Sequence, residues 1–96
     1  MHAVLRSYSG QGAKQLFDVL EANKAEIERL VRGIGGFVGF NLVRTDAGGF
    51  TVSIFRDKAG CDESVRVARE WIAKNGGNTG AAPPAVSEGA VVLDVR

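Results

Sequence analysis

Cysteine, histidine, methionine, tryptophan and tyrosine each occur once in this 96-residue chain, and proline only twice. A single cysteine, Cys61, excludes an internal disulfide, and a chain without disulfides fits a reducing, cytoplasmic setting. A single histidine, His2, leaves no paired imidazoles for a metal. No metal-ligand spacing, Ser-His-Asp order or phosphate-binding loop is present. No apolar run approaches the about 18 residues of a membrane span. The opening MHAVLRSYSG lacks the basic segment, long apolar core and small-residue cleavage site of a signal peptide. Charge of one sign is missing as well. Twelve basic and 11 acidic residues leave a net charge of +1. No field of one sign is available to steer nucleic acid or a membrane surface, so neither is expected as a partner.

What is present describes one ordinary globular domain over residues 1–96. Hydrophobic residues make up 45% and charged residues 24%, enough for one core but not two. Glycine is over-represented, at 13 residues against a usual share of about 7%.

The central stretch from Phe37 to Arg56 reads as a hairpin. Val38, Phe40 and Leu42 alternate with Gly39, Asn41 and Val43. After the turn, Phe50, Val52 and Ile54 alternate with Thr51, Ser53 and Phe55. Such alternation sends successive side chains to opposite faces of a strand. Thr45-Asp46-Ala47-Gly48-Gly49 has turn chemistry. His2 to Tyr8 is a first strand, with His2, Arg6 and Tyr8 on one face. Ala13 to about Arg32 has apolar residues at helical spacing, interrupted at Asn23 and Lys24, and Gly33 is a natural stop. Asp57 is an N-cap for a second helix over about Lys58 to Asn75. NGGNTGAAPP, from Asn75 to Pro84, is loop. Gly89 to Val95 alternates as the last strand.

The order is β-α-β-β-α-β, an α+β ferredoxin-like plan: a four-stranded antiparallel sheet with two helices on one face. The first and third strands are central. Two helices cover one face only, which leaves Phe37, Val43, Phe55 and Val92 on the other. A large apolar side chain gains about 1.5–3 kcal/mol when buried. A second copy of the chain is the simplest cover, and a homodimer is expected.

The first strand HAVLRSY, the hairpin GFVGFNLV…FTVSIFRDKAG and the helix DESVRVAREWI together resemble the dimeric α/β-barrel proteins. That group includes the antibiotic-biosynthesis monooxygenase-like domains, and the chain is similar to a branch of small uncharacterised bacterial proteins of this fold. The resemblance spans nearly the whole chain, as a pattern of strands and helices rather than a catalytic signature. It implies two sheets packed face to face across a dimer. A small cavity then lies between each sheet and its helices, or at the interface. It does not of itself imply oxygenase chemistry, because a fold hosts many functions. The group's haem-degrading members need an axial histidine. His2, at the chain end, argues against haem, and no cofactor is expected.

Candidate ligand-binding residues are Arg6, Tyr8, Asn41, Ser53, Phe55 and Trp71. The first four, Arg6, Tyr8, Asn41 and Ser53, put polar groups on strands where apolar ones would be expected. In a pocket they would orient a small ligand. At a dimer interface Arg and Tyr are common, and that reading is preferred for Arg6 and Tyr8. Trp71 could stack on a planar substrate beside Phe17 or Phe55, though core packing with its N–H bonded is the commoner fate. His2 lacks a recognisable carboxylate partner and reads as a surface side chain. Cys61 lies on the apolar stripe beside Asp57, Asp62 and Glu63, which favours a buried, inert thiol. The glycines from Gly33 to Gly39 follow a helix and open a strand, the reverse of a dinucleotide loop. Two functions follow. The first is a homodimeric protein that binds a small apolar or aromatic molecule. The second is a cofactor-independent monooxygenase or isomerase on an aromatic or quinone-type substrate, with Arg6 or Asn41 stabilising an oxyanion beside Tyr8 or Trp71.

Overall fold

The computed structural model describes residues 1–96. Its elements run β1 (His2–Ser9), α1 (Ala13–Ala22), α2 (Lys24–Arg32), β2 (Phe37–Thr45), β3 (Gly48–Phe55), α3 (Lys58–Asn75), a 3-10 turn (Gly77–Thr79) and β4 (Ala85–Ala90). All neighbouring strands are antiparallel, in the order β2-β3-β1-β4. The ferredoxin-like plan holds, with β1 and β3 central.

Three helices, not two, cover the sheet. The long helix expected from Ala13 to Arg32 breaks at Asn23, whose backbone leaves helical geometry. The Asn23 side chain donates to the Val19 carbonyl at 2.8 Å, the local competition with the helix ladder that asparagine offers. The missing apolar turn at this point is the sequence trace of the break. Asp57 caps α3 as expected, accepting from the Gly60 amide at 3.1 Å.

The core lies between sheet and helices in two clusters. One gathers Tyr8, Ala13, Leu16, Phe17, Leu20 and Trp71. The other gathers Val4, Ile34, Phe55 and Cys61. Cys61 is buried, and burial pushes its thiol pKa up, so it is inert packing.

Two expectations about the sheet need correcting. The hairpin loop is only Asp46-Ala47, with Thr45 opposite Gly48. That register sets Phe40 opposite Ser53 and Leu42 opposite Thr51, and directly opposed residues share a face. Thr51, Ser53 and Phe55 therefore face the helices, while Phe50, Val52 and Ile54 face away. Phe55 is wholly buried on the helix side. An irregularity between Phe37 and Gly39 switches the parity of β2, as a bulge does. Phe37 thereby joins Phe55, ring centroids 5.9 Å apart. Of the residues expected on the open face, only Val43 is there. The open face is still apolar, built from Leu5, Val43, Phe50, Val52 and Ile54.

The last strand is also earlier than its alternation suggested. Ala85–Ala90 pairs with β1, and beyond it only the Val91 amide still bonds, to the Met1 carbonyl at 3.0 Å. Val92, Leu93 and Val95 lie outside the sheet and are strongly exposed. No helix is long and apolar enough to cross a membrane.

Candidate functional site

The sheet face under the helices is unusually polar for a core. β1 contributes Arg6 and Tyr8, and β3 contributes Thr51 and Ser53, all buried. These positions line a cavity of about 60 Å³ roofed by α1, α2 and α3. Leu20, Ile27, Phe40, Val67 and Ile72 make most of the rest of its wall apolar. Alternation along β1 explains the placement: Val4, Arg6 and Tyr8 are buried, while their neighbours are less so. The preferred interface reading for Arg6 and Tyr8 is overturned by this parity, because both point away from the open sheet face.

Arg6 is the unusual group. It is 7% exposed, and one of its terminal nitrogens donates to the Tyr8 hydroxyl. Its Nε has no partner, and no carboxylate pairs with it. A buried charge without a counter-charge costs several kcal/mol. Burial lowers the Arg6 pKa and the Tyr8 contact opposes that. Burial likewise raises the Tyr8 pKa, and Arg6 opposes it.

Trp71 is 8% exposed and packs in the first core cluster. Its ring fills core space as expected, but its indole N–H is not bonded. Trp71 Nε1 is buried and unpartnered. Two orphaned donors thus border one small cavity, where nearly all buried polar groups of a folded protein find partners.

The cavity continues outward. Ile27, Val31, Phe40 and Leu42 line both it and an open groove of about 530 Å³ between α2 and β2. α2 buries no residue, so this helix lies over the groove without being locked into the core.

Of the six candidate residues, Arg6, Tyr8, Ser53 and Trp71 meet in this cavity. Asn41 is exposed and shares the open face with Val43 and Val52. Phe55 belongs to the other cluster, against Phe37 and Gly60. Thr51 and Ser64 line the cavity too and were missed. Thr51 was legible from its parity with Ser53. His2 does have a partner, Glu88 at 3.1 Å, on the adjacent strand β4. No cluster of His, Cys, Asp or Glu is arranged to hold a metal.

With this geometry the molecule falls among known structures. Its structural neighbours are antibiotic-biosynthesis-monooxygenase-like and dimeric ferredoxin-like proteins, the group its sequence resembles. Among them is the heme-degrader MhuD of Mycobacterium tuberculosis, solved with two hemes in its active site. It is 25% identical, with TM-score 0.69 over 100% of both chains. A Nitrosomonas europaea protein of unknown function gives TM-score 0.71 at 14% identity, over 99% of this chain and 91% of that one. The Streptomyces coelicolor monooxygenase ActVA-Orf6, solved with nanaomycin D, gives 0.59 at 13% identity, over 97% and 91%. No family model and no curated protein sequence matches the chain.

Proposed function

We propose that the cavity under the helices, with the groove beneath α2, binds a small apolar or aromatic molecule carrying one acceptor oxygen. The observation that carries this is the pair of buried, unpartnered donors, Arg6 Nε and Trp71 Nε1, in a mostly apolar wall that also holds Thr51, Ser53 and Ser64. A ligand oxygen would satisfy them, and the groove gives its body room. The about 60 Å³ of the inner cavity suits the buried end of such a molecule rather than the whole of it.

Heme, which MhuD binds, does not fit these residues. No histidine, cysteine or methionine lines the cavity. Tyr8 is the one lining side chain of a type that ligates heme iron. Burial disfavours the phenolate a metal would need, and the opposing pull of Arg6 on the hydroxyl does not outweigh it.

A cofactor-independent oxygenase on a hydroquinone is the second reading. Arg6 and Trp71 favour it, because buried donors held in place stabilise a phenolate or enolate oxygen. Against it, no Asp, Glu or His lines the inner cavity, and the two carboxylates of the groove, Glu21 and Glu28, are already held by Arg44 and Arg32, so neither is free to act as a base. Binding therefore stands first. The same reading takes the chain as a homodimer, with the open face of Leu5, Val52 and Ile54 covered by a second copy.

Trp71 is the single tryptophan, so its fluorescence reports on the cavity alone. Titration with 1,4-naphthoquinone is expected to quench it saturably, with a matching rise in melting temperature. Linear, collision-only quenching and no thermal shift would remove the binding reading. Oxygen uptake with a naphthalenediol, lost in Arg6→Met, would move the enzyme reading ahead.

A further inference from the structure

Arg6 also borders a second space. A chamber of about 390 Å³ lies between the C-terminal half of α3, the Ala81–Pro84 segment and β4. Apolar groups form most of its wall, among them Val65, Ile72, Pro83, Pro84 and Val86. Two guanidiniums face it, Arg6 and Arg69, and no carboxylate does. Burial is the main reason the charged form of Arg6 is disfavoured, and Arg69 adds a smaller like-charge contribution.

The contrast with the surface is informative. On the surface Arg32, Arg44, Arg66 and Arg96 each hold a carboxylate while Arg29 and Arg56 do not, and in water such a pair contributes little either way. Arg6 is buried, where a counter-charge matters most, and has none. Arg69 has no ion pair either. Arg69, on the exposed side of α3, adds a like charge that works against the buried Arg6. An anion placed between them would offset the cost of the buried Arg6 charge, and neither the sheet nor the helices supply one.

We propose that this outer chamber is a binding site for a small amphipathic carboxylic acid, its carboxylate held by Arg6 and Arg69 and its apolar body lying against Pro83, Pro84 and Val86. A carboxylate matches the planar guanidinium fork. The apolar walls select against a bare, strongly hydrated anion such as inorganic phosphate. The chamber adjoins the inner cavity and shares Arg6, Tyr8 and Ile72 with it, but Trp71 lines only the inner cavity and Arg69 only this chamber.

The test is calorimetric titration with 1-naphthoate, its neutral amide 1-naphthamide, and inorganic phosphate. The acid is expected to bind about tenfold tighter than the amide, the gain of a charge-assisted bond. Phosphate alone is expected not to bind measurably. Affinity for the acid should fall when salt rises from about 50 to about 500 mM, because one of the two charges is screened. Arg69→Ala lies on the exposed side of α3 and leaves the core intact. It is expected to weaken the acid about threefold and leave the amide unchanged. Arg6→Met is expected to abolish the preference for the acid. Equal affinity for acid and amide, or tight phosphate binding, overturns the proposal. So does an acid affinity untouched by Arg69→Ala, which would put the acid in the inner cavity instead. Trp71 quenching by naphthoquinone separates the two sites. Its failure beside an intact acid preference would remove the inner site and leave this one standing.

Discussion

Arg6 sets the character of the interior. A guanidinium at that depth without a carboxylate is a cost that folding must carry, and substitution by an apolar side chain of similar length removes it. Arg6→Met is therefore expected to raise stability by about 1–2 kcal/mol in urea unfolding while ligand binding is lost. A loss of stability would mean that the guanidinium is already satisfied in the free protein. Two glycines are the opposite case, where nothing larger fits. A Cβ on Gly49 would lie 2.3 Å from the Phe17 ring, and one on Gly60 would lie 2.8 Å from Phe55. Both contacts are with packed aromatic rings that have no room to retreat. Gly49→Ala and Gly60→Ala are each expected to cost about 1–3 kcal/mol, as overpacking does. Residue type and parity mark Arg6, Tyr8, Ser53 and Trp71 as candidates in the amino-acid sequence alone. The side of the sheet they face is not legible there. For the strand residues it depends on which face of β1 and β3 the helices pack against, and a one-residue change in register flips every side chain.

At the scale of elements, the two halves of the helical layer behave differently. α3 buries Gly60, Cys61, Ser64 and Trp71, while α2 buries nothing. An element with so few core contacts opens at low cost. Amide exchange over Lys24–Arg32 is expected to be faster than over the middle of α3. Naphthoquinone in the groove should slow it, since Ile27 and Val31 line the path. Equal protection in α2 and α3 without ligand would tie α2 to the core and close the groove. The sequence carries the break before α2 as a gap at Asn23 and Lys24. The gap alone does not distinguish one long helix with a polar turn from two short ones. The β4 boundary misleads for a related reason. VVLDV alternates better than AVSEGA, yet pairing follows the register with β1, and His2 pairs with Ala90. Propensity favours the wrong segment because a strand's partner, more than its own alternation, decides where it sits.

For the whole molecule, the decisive surface is the sheet face turned away from the helices. Leu5 is 37% exposed there, and Val43, Phe50, Val52 and Ile54 are only half-covered. Past β4, Val92 is 96% exposed and Leu93 and Val95 are strongly exposed too. An apolar sheet face and an apolar tail outside the sheet are surfaces that two copies could cover for one another. The expectation of a greasy open face held although its residues changed, because both faces of this hairpin are apolar enough to need burial. Charge on that face is the discriminating substitution. Leu5 and Val52 stand opposite one another on β1 and β3. Val52→Lys therefore places an ammonium at the middle of the sheet without touching the helix-side core. In sedimentation, the natural chain is expected to run at twice its 10.1 kDa mass, and Val52→Lys at the single-chain mass. The inner cavity lies on the opposite side of the sheet, so the monomeric variant should still show Trp71 quenching by naphthoquinone. Quenching lost together with the dimer would mean that the second copy completes the cavity, and a natural chain that sediments as a monomer would leave the open face without the cover its composition calls for.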